Sequence, residues 1–205
     1  MPVPAWAEGL PRPPPWQEIS GKTVYENAWV RMTEHQAVAP TGTQALYGVF
    51  RPKHLAAGVL PIHADGTVTL VGQARFPHAN YSWEMPEGGV PDGEDPLAGV
   101  QRELAEEAGL AARSWREVLR MELSNSVTDE RAIAWLAWDL TEVAKAPDPT
   151  EVIAIVRVPF MALIHEIHRG SIRDAFTVAT GLRAYHMARE HILPGWLAHA
   201  MLTRV

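Results

Sequence analysis

The sequence predicts an α/β fold, helices packed on a mixed β-sheet, with an N-terminal strand region ahead of it. Three features carry this expectation. Segments rich in branched and aromatic residues recur along the chain, one amphipathic and cleanly capped helix interrupts them near the middle, and two more helical segments close the sequence. Bulk composition agrees. Of 205 residues, 47% are hydrophobic and 20% charged, so a sizeable core can form, and wholesale disorder or a fibrous repeat is excluded. The net charge is −6, with no basic run to track a nucleic-acid polymer or an anionic membrane. With no cysteine, disulfides, thiolate zinc sites and cysteine nucleophiles are ruled out. The N-terminus lacks the basic start and apolar core of a secretory signal, and no apolar run reaches the roughly eighteen residues of a membrane span, so a cytoplasmic protein is expected.

Residues 1–22 read as a proline-rich arm. Pro2, Pro4, Pro11, Pro13, Pro14 and Pro15 enforce extended backbone there, either as a free tail or with Trp6 and Trp16 docked on the body or a second subunit. Residues 23–55 form an N-terminal strand region, with strands at 23–30 and 44–50. Strands at 56–63 and 67–75 flank Ala64, Asp65 and Gly66, the signature of a tight hairpin. A glycine-rich stretch over 86–93 precedes a helix at 96–108, capped by Asp95, opened by Pro96 and closed by Gly109. Leu97, Val100, Leu104 and Ala108 supply its apolar stripe. Strands follow at 115–123, 132–140 and 152–158, then helices at 159–169 and 174–191 broken at Gly170.

On the central helix Glu103 and Glu107 lie four apart and Glu106 three from Glu103, so three carboxylates share one side of two turns. They repel one another, sit in the half of the helix where the macrodipole disfavours anions, and exceed what Arg102 alone can neutralise. A hard divalent cation such as Mg²⁺ removes that penalty. Spacing alone favours a solvated acidic face, since Glu pairs four apart are common on exposed helices.

The fuller pattern over residues 88–110 resembles the Nudix box, G-x(5)-E-x(7)-R-E-U-x-E-E-x-G-U with U aliphatic. Gly88, Glu94, Arg102, Glu103, Leu104, Glu106, Glu107, Gly109 and Leu110 fill its specified places. The resemblance implies a Nudix α/β/α sandwich over residues 56–205 and hydrolysis of a nucleoside diphosphate linked to another moiety, with Mg²⁺ or Mn²⁺. It implies Glu103 and Glu107 as principal metal ligands, Glu106 as a further one, and a backbone carbonyl at Glu87 or Gly88 as another. Glu94 and Arg102 would form an ion pair holding the loop to the helix. Metal ions of this kind draw charge from the phosphates and lower the pKa of the attacking water.

The flanks resemble the ADP-ribose pyrophosphatase group. In LVGQARFPHANYSWEMPEGG, Arg75 would face a substrate phosphate, as its fork of donors suits, and Glu84 the metal or a terminal-sugar site. The later segment RGSIRDAFTVATGLRAYHM resembles that group's closing turn and helix. Ser126 stands where the group usually has a proline, and Glu87 where it commonly has a small residue. The group's members often pair through N-terminal strands, so a homodimer is implied. For the catalytic base the resemblance offers Glu151, with Asp148 nearby. Asp129 and Glu130 are rivals, as is Glu103 itself. His165 and His168 lack zinc-protease spacing and read as a solvated helix face. Trp135 and Trp138 read as core or interface residues, with a base-stacking platform as the alternative. The expected reaction is cleavage of a nucleoside diphosphate sugar to a nucleoside monophosphate and a sugar phosphate. A dinucleotide or coenzyme substrate, or a nucleotide-sensing domain without catalysis, are the alternatives.

Overall fold

The chain turns back on itself at Asn27, whose side-chain oxygen accepts the backbone N–H groups of Trp29 and Val30, both at 2.9 Å. The computed structural model describes residues 4–145 and 152–203. Around the Asn27 turn, β1 (Gln17–Glu26), β2 (Val30–Val38) and β3 (Gln44–Pro52) form an antiparallel three-stranded sheet. This corrects the sequence reading in two places. β1 begins inside the expected arm of residues 1–22, and β2 was not anticipated at all. All ten residues of β1 are exposed, so no buried face imposes an apolar alternation that could be read. Ion pairs tie this sheet's surface, Lys22 with Glu34 at 2.9 Å and Lys53 with Glu26 at 2.8 Å.

Two compact units result, Met1–Lys53 with Ser126–Asp129, and His54–Asn125 with Glu130–Val205. Residues 126–129 attach to β3: Phe50 N–H donates to the Val127 carbonyl at 2.9 Å, the Tyr47 hydroxyl donates to that of Ser126 at 2.5 Å, and Arg51 pairs with Asp129.

The second unit is built on two sheets. Strands β4 (Leu55–Pro61), β5 (Thr67–Arg75), β6 (Asn80–Glu84) and β7 (Glu87–Val90) lead into helix α1 (Pro96–Ala108). Then come β8 (Leu110–Glu122), β9 (Arg131–Glu142), β10 (Ala154–Pro159), α2 (Phe160–His168), α3 (Ala175–Arg189) and α4 (Gly195–Leu202). One sheet has the order β7-β4-β9-β8, with β4 and β9 parallel; the other has the order β10-β5-β6. The Ala64–Gly66 turn does reverse the chain, yet β4 and β5 share only the isolated bridge between Ile62 and Val68. Each is the interior strand of a different sheet, with both edges taken by other partners, so the expected hairpin splits.

Successive residues of β4 and β9 serve opposite cores. Val59, Ile133, Trp135 and Ala137 face α1 with Val100 and Leu104. Leu60, Ala132, Ala134 and Leu136 join a larger cluster with Phe160, Phe176, Met187 and Leu197 from α2, α3 and α4. Helices thus cover both faces of a mixed sheet, the expected α/β/α arrangement. Trp135 belongs to one core, while Trp138, partly buried, packs against the other. The closing helices number three rather than two. α4 is only eight residues long and starts directly after Pro194, so its local sequence reads as a turn. Among the described residues no helix is long and apolar enough to cross a membrane.

Candidate active site

Helix α1 sets the positions of the box carboxylates. Asp95 accepts the Ala98 N–H at 3.0 Å, and Gly109 closes the helix at φ +65°, donating to the Ala105 carbonyl at 3.1 Å. Val100 and Leu104, fully buried, hold the helix to the sheet and fix which side Glu103, Glu106 and Glu107 present.

Glu107 is 3% exposed and accepts the Glu87 backbone N–H at 2.9 Å, which ties β7 to the helix. One residue on, a Cβ at Gly88 would lie 2.2 Å from the Glu103 carboxyl carbon and within 2.5 Å of both its oxygens, so only glycine lets the two meet. Arg102 is the cation of this cluster. It donates to Glu103 at 2.8 Å, Glu106 at 3.1 Å, the Gly89 carbonyl at 3.4 Å and Glu94 at 3.5 Å. The expected Glu94–Arg102 pair is therefore present as the longest of three ion pairs.

A second guanidinium sits beside the first cluster. Arg75 Nε donates to both oxygens of Glu84 at 3.0 Å, its Nη2 bonds Glu84 again, and Nη2 reaches Glu87 at 3.3 Å. The bonds to Glu84 raise the Arg75 pKa above its ordinary value. Glu84, expected near a metal or sugar, is 2% exposed and committed to Arg75; the Nη1 edge of Arg75 takes part in none of these bonds. Burial pushes the Glu87 carboxyl well above the usual carboxylate range, and the nearby charges of Asp174 and Glu84 push it further. Glu87 Oε2 is buried with no hydrogen-bond partner.

Asp174 was missed by the sequence reading. It caps α3 by accepting the Thr177 N–H at 2.6 Å, and the Thr177 hydroxyl accepts the buried Met85 N–H at 3.0 Å. The start of α3 thereby braces the chain between Glu84 and Glu87. The available signal, an Asp before a helical run, marks a cap but not its neighbours in space. Glu151 and Asp148 lie outside the described residues. Asp129 is paired with Arg51 in the first unit, and burial raises the Glu130 pKa. His165 and His168 are exposed on α2, as expected of a solvated face.

A mixed sheet between helices, with clustered carboxylates against a glycine loop, defines a Nudix-type α/β/α hydrolase site. Residues 52–176 match the NUDIX domain family, more than half of the chain, and the chain belongs to that family as a Nudix hydrolase. It is similar to ADP-ribose pyrophosphatase of Mycobacterium tuberculosis, 26% identical over 175 residues covering 83% of each chain. It is likewise similar to ADP-sugar pyrophosphatase of Mus musculus, 27% identical over 189 residues covering 84% of this chain and 86% of that one. A solved structure described as an ADP compounds hydrolase shares the fold, with a TM-score of 0.80 at 17% identity over 88% of this chain and 98% of its own.

Nudix hydrolases generally use divalent metals. Among the described residues no three carboxylate or imidazole side chains stand ready around one point to hold an ion. Their present partners explain this, since Arg102 draws Glu103 and Glu106, Arg75 draws Glu84, and Glu107 takes the Glu87 amide. The donor chemistry still fits a hard cation. Every side-chain donor is a carboxylate, one buried carboxylate oxygen lacks a partner, and the missing Cβ of Gly88 leaves the Glu103 carboxylate free of backbone obstruction.

Proposed function

We propose that the chain hydrolyses the pyrophosphate bond of a nucleoside diphosphate sugar, ADP-ribose-like, to a nucleoside monophosphate and a sugar phosphate. The observation that carries this reading is the pair of relatives named for ADP-ribose and ADP-sugar, each matched over more than four-fifths of both chains. Matches confined to the box would speak only for the shared chemistry. Glu103, Glu106 and Glu107, with a backbone carbonyl at Glu87 or Gly88, hold Mg²⁺, or Mn²⁺ in its place. When bound, the metal supplies charge neutralisation of the phosphates and acidifies the attacking water. Arg102 anchors the carboxylates until substrate arrives, and Glu94 steadies Arg102. Arg75, fixed by Glu84, presents its Nη1 edge to a phosphate oxygen. Glu151 takes the proton of the attacking water.

The first unit pairs two copies of the chain. Its wholly exposed β1 and the exposed apolar side chains of Ile19, Val24, Tyr25, Trp29 and Leu46 are what a second copy covers. Light scattering of the purified protein reads the mass directly, and a monomer would refute this part.

The activity test supplies Mg²⁺ with ADP-ribose, ADP-glucose, GDP-mannose, UDP-glucose, NADH and diadenosine polyphosphates, and measures the phosphomonoesters released. ADP-ribose or an ADP-sugar should be turned over fastest. Preference for NADH or a diadenosine polyphosphate would overturn the substrate reading. Glu107→Gln should lower kcat/KM by about a hundredfold or more.

A further inference from the structure

We propose that the side chain of Glu87 is itself a ligand of the divalent cation, so that this chain grips its metal with one anionic oxygen more than the box glutamates provide. The inference rests on the metal-dependent reading above. Three observations carry it. Glu87 Oε2 is buried and has no hydrogen-bond partner, an unfavourable state for a carboxylate that a coordinated cation relieves. The backbone beside it touches both principal ligands: the Glu87 N–H is bonded to Glu107 at 2.9 Å, and Gly88 abuts the Glu103 carboxylate closely enough to exclude a Cβ. The hold on the other oxygen is weak. Glu87 Oε1 has a single 3.3 Å contact to Arg75 Nη2, whereas the same guanidinium gives Glu84 three bonds.

Arg75 therefore cannot serve as full counter-charge to Glu87. Glu84 holds its Nε and Nη2 at closer range, and Asp174 also draws on its field. The competing explanation is that Glu87 only steadies Arg75. Glutamine separates the two, because its amide oxygen still accepts from Arg75 but carries no charge for a cation.

The test titrates Mn²⁺ into metal-free protein without substrate, following binding by calorimetry and by the electron paramagnetic resonance signal of free Mn²⁺. Wild type, Glu87→Gln and Glu107→Gln are compared, each checked for fold by circular dichroism. Glu87→Gln should weaken Mn²⁺ binding about tenfold or more. In chelator it should melt above wild type, and Mn²⁺ should raise its melting temperature less. Unchanged Mn²⁺ affinity in Glu87→Gln, alongside loss in Glu107→Gln, overturns the role of Glu87 alone. Unchanged affinity in both overturns the metal assignment beneath it. Should Glu87→Gln fail to fold, Glu87→Asp repeats the test, with weakened binding expected and wild-type binding refuting.

Discussion

Gly88→Ala should separate site geometry from stability. The new Cβ would stand 2.2 Å from the Glu103 carboxyl carbon, where ordinary contact begins near 3.4 Å. The carboxylate must retreat by about 1 Å, a displacement that at a reacting centre costs about a hundredfold in rate, or about 2.7 kcal/mol of barrier. Folding should barely register the change. The obstructed group is the end of a flexible side chain, so the loss includes part of an Arg102 bond, about 1 kcal/mol, offset by a similar gain from stiffening the unfolded chain. Gly89→Ala is the control, since its Cβ would meet only the His54 side chain, at 3.1 Å. The assay is kcat/KM for ADP-ribose with Mg²⁺, read as released monophosphate, together with melting temperature. Gly88→Ala should lose activity and keep its melting temperature, and Gly89→Ala should keep most of both. A folded Gly88→Ala enzyme with wild-type turnover would refute the reasoning.

Three other outcomes are expected. Leu104→Ala empties a fully buried position under α1 and should cost about 3 kcal/mol in urea unfolding. Asp95→Ala removes the α1 cap and should cost about 1 kcal/mol by the same measurement. His63 has a pKa lowered by burial and by the charge of Arg157, so the folded state binds its proton less readily than the unfolded state does. Its contribution is complete above the ordinary value of 6.5 and is lost as pH falls toward the lowered folded value. Wild type should thus lose more stability than His63→Gln between pH 7.5 and pH 5.5, and parallel losses would contradict it.

What could be read from sequence was what is encoded locally. The bounds of α1 follow from Asp95, Pro96 and Gly109, each of which acts within a turn of its own position. β5 is similarly legible, as a buried run after an Asp-Gly turn. The partners of β4 and β5 were not, because both run apolar on two faces and nothing local says which edge meets which strand. β2 escaped notice because Ala37 is the one buried residue of its nine, too few to impose an apolar period. At the site, the helical spacing of Glu103, Glu106 and Glu107 is written in the chain. The approach of Arg75 and Asp174 to Glu87 depends on where β5 and α3 pack.

The bond from Met85 to Thr177 spans ninety-two positions of the chain. The box segment is consequently not a portable cassette: the chain just ahead of it is braced by a helix synthesised long after it. A nascent chain halted before α3 would carry the complete box and still lack the brace that shapes it, so competence waits until α3 has been made and packed.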